Sequence, residues 1–355
     1  LNESEEVQPP RDPLVIDLGS AGIELTSVEN GVHFDLDKNG FAEKTAWIGE
    51  EDGFLALDRN GNGFIDNGGE LFSDQVVMSN GKISSSGFEA LADLDENGDG
   101  VIDENDSQFA NLRVWVDSNQ NGISDRNELK NLNELGIASI SLDHINKDII
   151  DSETGTTITE SSEVRFNDGT TREIAEHWFE VKTHDTEERD DDGQILPADS
   201  VEAFGNVQNL SSAIRDDETG ELSQLVDRFK SSNNYAEKRV LIKKILYFIT
   251  DANDISPSLR GGNIDARDLH IIEQFMGRDF VGADGSSTPN SVAAPILKNV
   301  FYKIENMYFN VFLYNTMTTD SRALATMVAA SAIVSTMATL LMGVLSDKIG
   351  KRKTM

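Results

Sequence analysis

The 355-residue chain carries 63 Asp and Glu against 30 Lys and Arg, a net charge of −33. Nucleic acid and anionic membrane surfaces are therefore poor partners for most of its surface, and multivalent cations good ones. It has no cysteine, which excludes disulfides and thiolate metal centres and leaves packing or oxygen-bound hard ions to stabilise it.

The length allows two domains. The chain opens at Leu1 with no methionine or signal peptide, which reads as a fragment excised from something longer. Residues 1–12 are polar and proline-rich, a linker by composition. From residue 13 to 182 short strands and helices mix: LVIDL, VHFDL, FLALD, LRVWVD, ASISL, SEVRF and IAEHWFEV predict strands. SSGFEALADL, with a serine cap, and NELKNLNEL predict helices. The sum is an α+β domain with acidic loops between its elements. Residues 183–202 form a charged linker. From 203 to 316 apolar residues recur every three or four positions in GELSQLVDRF, YAEKRVLIKKILYFIT, DARDLHIIEQFM and AAPILKNVFYKIENMYFNVFLY, predicting a mostly helical second domain. Residues 322–355 hold an uncharged run, Ala323–Leu345, followed by SDKIGKRK. Such a run is long enough for one transmembrane helix with its basic tail in the cytoplasm, and a membrane is a partner only if that span is genuine.

The acidic loops carry the first chemistry. DSNQNGISDRNE places Asp117, Asn119, Asn121, Gly122, Asp125 and Glu128 at positions 1, 3, 5, 6, 9 and 12 of the twelve-residue EF-hand pattern, with the Ile123 carbonyl at position 7. Alternate oxygens converge on one ion, and the glycine permits the sharp turn. DENGDGVIDEND repeats it with Asp95, Asn97, Asp99, Asp103 and Asp106, the last shorter than glutamate. In DRNGNGFIDNGGE, Asp58, Asn60, Asn62 and Asp66 are in place but Glu70 stands at position 13, so the loop must bulge or the glutamate must reach. DLDKNGFAE offers Asp35, Asp37, Asn39 and Glu43 and nothing acidic at position 12, half a site. Gly261–Leu269 resembles only the second half of such a loop, with Asp265 and Asp268. A lone D-x-N-x-N-G is often just a turn; four in one domain predict Ca²⁺ as cofactor, with binding coupled to folding. Extracellular calcium modules bind at about 10⁻⁴–10⁻³ M, so such a domain stays loose in the cytosol and folds outside.

The second feature is the Asp12–Pro13 bond. Proline confines Asp12 to extended conformations, from which its carboxylate can attack its own main-chain carbonyl carbon. The product is a cyclic anhydride with the Pro13 nitrogen as leaving group, and intramolecularity supplies effective molarities of about 10⁵–10⁸ M. Taken alone, the dipeptide reads as a turn. The histidines, His33, His144, His177, His184 and His270, are scattered singly, and no Ser–His or H-E-x-x-H arrangement occurs; an ordinary hydrolase or zinc protease is not expected.

DPLVIDL, the block VHFDLDKNGFAEKTAWIGEEDGFLALDRNGNGFIDNGGELF, FEALADLDENGDGVID, VWVDSNQNGISDRNEL and GIASISL together resemble the self-processing module of Frp-type iron-regulated RTX proteins, secreted by Gram-negative bacteria. The likeness covers residues 12–182, and the later LPADSVEAFGNVQNLSSAIRDD resembles the helical region that follows the module. It implies calcium-triggered cleavage of Asp12–Pro13, with Asp12 as nucleophile and acyl donor, Pro13 as leaving group, and hydrolysis or capture of the anhydride by a lysine of an acceptor protein as an isopeptide. It also implies secretion or display at the cell surface. Gly19, Ser20 and Ala21 replace the acidic run expected there, which implies one calcium site fewer, and glycine-rich nonapeptide repeats do not follow. Gly343–Lys353 instead resembles a cytoplasmic loop motif of major-facilitator transporters. The alternative reading is a calcium-stabilised structural or adhesive module without chemistry.

Overall fold

The computed structural model describes residues 12–19, 22–189 and 204–317, with side chains to residue 313. These fall into two compact units, one reaching Lys182 and including Arg189, the other comprising Thr183–Glu188 and the chain from residue 204.

The first unit opens with β1 (Leu14–Ile16), β2 (Leu25–Thr26), β3 (Val32–Phe34), β4 (Ala42–Thr45), β5 (Trp47–Ile48) and β6 (Gly53–Ala56). Helix α1 (Gly87–Ala92) follows, then β7 (Val101–Asp103), β8 (Arg113–Trp115), β9 (Leu129–Asn131), β10 (Ile137–Ser141), β11 (Ile145–Ile150), β12 (Thr157–Phe166) and β13 (Thr171–Trp178). Strand β14 (Val181–Glu187) lies where one unit gives way to the other. The main sheet of the described residues has the order β7-β10-β12-β13-β1-β6-β8-β9, with β11 added against β12. The pairings between these neighbours are antiparallel.

Strand β1 is central, with Val15 opposite Ala175 on one side and Phe54 on the other. Both its faces are covered. Leu14 and Ile16 pack with Phe72, Phe88, Leu112 and Ile174, whereas Val15 packs with Phe34, Trp47, Phe54 and Trp115. That explains why LVI is apolar at every position instead of alternating. In the second cluster Trp47 sits 5.5 Å from Trp115 and 4.6 Å from Phe54, tilted or edge-on. Each such ring buries about 150–250 Å², or about 4–6 kcal/mol at about 25 cal/mol per Å². Ser86 caps α1 by accepting from the Glu89 N–H.

The second unit is helical: α2 (Leu210–Asp216), α3 (Glu221–Ser231), α4 (Tyr235–Ile249), α5 (Ala266–Met276) and α6 (Ala293–Met317). Leu222, Phe229, Ile242, Ile245, Leu269, Phe275 and Phe309 form its core. Asn234 caps α4. Asp265 caps α5 and is held by Arg267 at 2.7 Å, while Asp268 pairs with Lys243 at 2.9 Å. In Gly261–Leu269, which resembles only the second half of a loop, both carboxylates therefore serve a helix start and its ion pairs.

The α+β reading stands, with two local corrections. NELKNLNEL is not a helix: Leu129–Asn131 is β9, hydrogen-bonded to β8 with Arg113 opposite Asn131. Sheet pairing outweighs its helical propensity there. IAEHWFEV is not one strand, for the pairing of β13 ends at Trp178 and β14 begins at Val181. Among the described residues no helix is long and apolar enough to cross a membrane. The Ala323–Leu345 run and Gly343–Lys353 lie outside the described residues.

Candidate functional site

The four loops predicted from D-x-N-x-N-G fold alike. In each, the first aspartate accepts the N–H of the glycine five residues on: Gly40 to Asp35, Gly63 to Asp58 and Gly122 to Asp117 at 2.9 Å, and Gly100 to Asp95 at 3.0 Å. Those glycines have φ between +66° and +90°, a region that other residues enter at a cost. The fifth-position side chain then accepts from the seventh-position N–H in Phe41, Phe64, Val101 and Ile123. Each turn is thus held by its own side-chain acceptors.

The closing carboxylates also match in role. Glu128 accepts from Asp125 N–H, Asp106 from Asp103 N–H and Glu70 from Asp66 N–H. Glu70 also accepts from Arg59 and Asn60, so it reaches back from position 13. The shorter Asp106 likewise accepts from Glu96 N–H. In the loop read as half a site, Glu43 comes in on the strand after the turn. Asp35, Asp37 and Glu43 are the one group of three acidic side chains among the described residues whose oxygens lie within 4.8 Å of one another. Burial, with Asp37 adding to it, pushes the Asp35 carboxyl up to about 7.

The loops are tied together. Asn67 bridges to Asp35, Gly68 N–H donates to the Asp35 carbonyl at 2.7 Å, and Ile65 N–H donates to Ser124 Oγ at 2.6 Å. The Trp47 indole N–H donates to Asp117 Oδ2 at 2.8 Å. Asp117 is fully buried.

The Glu70 loop leads straight to the Asp–Pro bond. Ser73 Oγ donates to the Gly68 carbonyl, Leu14 N–H to the Phe72 carbonyl at 2.9 Å, and Asp74 N–H to Asp12 Oδ1 at 2.7 Å. Asp12 and Pro13 are both buried. On the other side His177 N–H donates to the Pro13 carbonyl at 3.2 Å, and Leu14 stands opposite Glu176. Pro13 therefore faces His177 in the ladder and, having no N–H, leaves its nitrogen outside the ladder. Side chains alternate along strands, so Asp12, Leu14 and Glu176 share one face, and diagonal neighbours lie within reach of long side chains.

The Asp12 carboxyl faces the carboxyls of both Glu176 and Asp74, and the three groups influence one another electrostatically. Glu176 is 2 % exposed, with Oε1 accepting from Gly87 N–H at 2.6 Å and Oε2 from Thr159 Oγ at 2.7 Å. Burial first, then the negative charges of Glu176 and Asp74, raise the Asp12 carboxyl far above the ordinary aspartate range. Burial raises Glu176 as well, offset in part by the Thr159 and Gly87 donors. Two carboxyls this close share a proton. His177 is wholly buried, and desolvation lowers its pKa to about 4, keeping the ring neutral. That accords with a structural histidine.

The structure thus brings together Asp12 and Pro13 with three residues the sequence did not single out, Asp74, Thr159 and Glu176. Asp74 contributes a backbone N–H, which carries no residue signal. Glu176 left one: in IAEHWFEV it shares a face with Ile174 and Trp178, an acid on an otherwise apolar side.

Comparison with known proteins adds a family match over much of the same region. Residues 14–180 match the SPM domain family. The matched segment begins one residue after Pro13. The chain is 34% identical over 245 residues, 66% of its length, to the iron-regulated protein FrpA of Neisseria meningitidis serogroup C. It spans 21% of that relative. The SPM match and this likeness support an Frp-type relationship and give no support to the transporter-like reading of the tail.

Proposed function

We propose that the SPM region is a calcium-triggered self-processing module that breaks its own Asp12–Pro13 bond. The observation that carries the reading is the burial of the Asp12 carboxyl, fixed by the Asp74 N–H and by Glu176, at the residue before a proline. In the reaction an Asp12 carboxylate oxygen attacks the Asp12 main-chain carbonyl carbon, the C–N bond to Pro13 breaks, and the proline nitrogen takes a proton. Water opens the resulting five-membered anhydride to a C-terminal aspartate. A lysine amine of an acceptor protein opens it instead to an Asp–Lys isopeptide, releasing the other carboxyl group.

Calcium enters through the loops headed by Asp35, Asp58, Asp95 and Asp117. Aligned oxygens of this kind suit a hard cation at about 2.3–2.6 Å, and the ion's charge removes the repulsion among carboxylates so crowded. Ordering the loop that closes at Glu70 fixes Phe72 and Asp74, and through them Leu14 and Asp12. A module of this type belongs to an RTX-type protein secreted by a Gram-negative bacterium. Extracellular calcium then acts as the signal that the chain has left the cell.

The test is intact mass of the chain at set times after adding calcium to a metal-free sample. Loss of the residue 1–12 peptide, or its return as a lysine adduct, supports self-processing. A chain that folds in calcium and keeps its mass would leave a calcium-stabilised structural module.

A further inference from the structure

Cleavage needs more than a nucleophile. A carboxyl that is protonated attacks poorly, and an amide nitrogen leaves poorly unless it gains a proton as the C–N bond breaks. A group able to take a proton at one place and release it at the other has to lie between Asp12 and the Pro13 nitrogen. Among the described residues, three groups lie nearby. Asp74 meets Asp12 through its backbone N–H at 2.7 Å, and its carboxyl also faces Asp12 from the loop that follows Phe72. His177 meets Pro13 through its backbone N–H, and its ring Nδ1 is turned to the Ala175 carbonyl. Of the two carboxyls that meet Asp12, those of Asp74 and Glu176, the Glu176 carboxyl is the one carried by the strand paired with β1, at the position opposite Leu14.

Its mooring fits that task. Gly87 N–H and Thr159 Oγ each donate to a different oxygen of Glu176, so the group is held in one orientation and stabilised as the anion that receives a proton. Gly87 is itself wedged in place, since a Cβ there would lie 2.6 Å from the Phe72 carbonyl oxygen and 2.8 Å from Leu14 Cγ. The same packing therefore sets Glu176 and the strand that carries the scissile bond.

We propose that Glu176 is a catalytic residue of the self-cleavage, the proton shuttle between the Asp12 carboxyl and the Pro13 nitrogen. Glu176 takes the proton from Asp12 as the freed carboxylate oxygen bonds to the Asp12 carbonyl carbon. It gives that proton to the Pro13 nitrogen as the C–N bond breaks. One proton moves, one C–O bond forms and one C–N bond breaks, so no outside acid is needed. Burial raises both carboxyls, which favours a proton held on the pair.

The proposal rests on the cleavage reading above, and the experiment separates the two. Wild type and Glu176→Gln are compared as full chains in saturating calcium, with folding followed by near-ultraviolet dichroism and cleavage by intact mass from pH 5 to 8. The amide still bonds to its neighbours but carries no proton to hand over. Glu176→Gln is expected to fold and to cleave about 10²–10⁴-fold more slowly at neutral pH, the usual share of general acid–base catalysis, with the gap narrowing as acid supplies the proton. The other charged groups facing the pair are Asp74 and, from β12, Glu160, with Asp37 beyond Asp74; all three remain in the variant. Wild-type rate and pH profile in folded Glu176→Gln would overturn the proposal. If Glu176→Gln does not fold, Thr159→Val replaces it: slowed cleavage with the same acid recovery supports the shuttle, and a wild-type rate overturns it. A wild-type chain that folds and stays intact overturns the cleavage reading, and the shuttle with it.

Discussion

On the cleavage reading, Gly68→Ala tests whether the acidic loops and the Asp12–Pro13 bond are mechanically joined. Gly68 lies where the Asp58–Glu70 loop crosses the Asp35 loop, and a Cβ there would sit 1.8 Å from the Leu36 carbonyl oxygen. Ordinary contact begins near about 3.5 Å, so the two backbones must part by about 1.5 Å. The Gly68 N–H bond to the Asp35 carbonyl (2.7 Å) and the Ser73 Oγ bond to the Gly68 carbonyl (3.0 Å) are strained directly, and the Glu70 N–H bond to the Asn67 carbonyl (3.0 Å) with them. At about 0.5–1.5 kcal/mol each, their loss costs about 2–4 kcal/mol, which appears as a higher calcium midpoint for folding. Ser73 leads directly to the Asp74 N–H that orients Asp12, and a displacement of about 1 Å at a reacting group costs about 10²-fold in rate. Gly68→Ala is therefore expected to cleave about 10²-fold more slowly even when saturated with calcium and folded. Calcium titration by dichroism and intact-mass time courses measure the two effects separately. Wild-type cleavage in a variant with a shifted calcium midpoint would refute the mechanical link.

Pro13→Ala keeps the strand, gains an N–H facing His177 in the ladder, and is expected to fold in calcium without losing mass. On that uncleavable background Asp12→Asn tests the buried carboxyl. Asp12 has a folded-state pKa raised above its unfolded value of about 3.9, so its contribution to stability is full below that value and is lost as pH rises toward the raised one. The double variant should therefore gain in urea stability over Pro13→Ala as pH goes from 4 to 7, and an equal gap at both pH values would contradict the buried protonated carboxyl. Asp117→Ala removes the acceptor of the Trp47 indole N–H; the tryptophan fluorescence change on adding calcium is expected to need more calcium, and an unaltered titration would count against that loop as a cation site. Ile245→Ala, in the core of the helical unit, should cost about 2–5 kcal/mol of that unit's stability and leave the rate of mass loss from Asp12–Pro13 unchanged.

The loops were legible in the sequence because their chemistry is local. Within a dozen residues each contains its ring of acceptors and the glycine that turns it, so spacing alone identifies Asp117–Glu128 and Asp95–Asp106. Glu43 shows the limit of this rule. It stands at position 9, which the pattern names, but only the fold shows that from β4 it completes a carboxylate triad in a loop with nothing acidic at position 12. Strands survive sequence reading when they are central, as LVI does. NELKNLNEL failed because its partner β8 lies across a loop, and only the pairing shows that Leu129–Asn131 extends the sheet edge. Glu176 failed for the same reason on a larger scale, since the Asp12 carboxyl it faces comes from the opposite end of the domain.

That distance is itself an argument about latency. Strand β1 is held between β13, from the end of the domain, and β6, from its first third, so Asp12 meets Glu176 only after non-local pairing is complete. Until then the Asp12 carboxyl is solvated and ionised, its proton is absent, and the Asp–Pro bond has the stability of an ordinary peptide. The strand that carries Asp12 is seated by Phe72 and Asp74, which directly follow the loop closed by Glu70. In a chain of net charge −33, loops lined with carboxylates resist closing without a cation. On the cleavage reading, calcium acts on the reaction without touching the reacting atoms: it permits the fold that buries two carboxyls together, and burial supplies both the proton and the geometry. Filling the loops with a cation that orders them, whatever its identity, should therefore restore cleavage in proportion to the folded fraction; folding restored without cleavage would require calcium at the scissile bond itself.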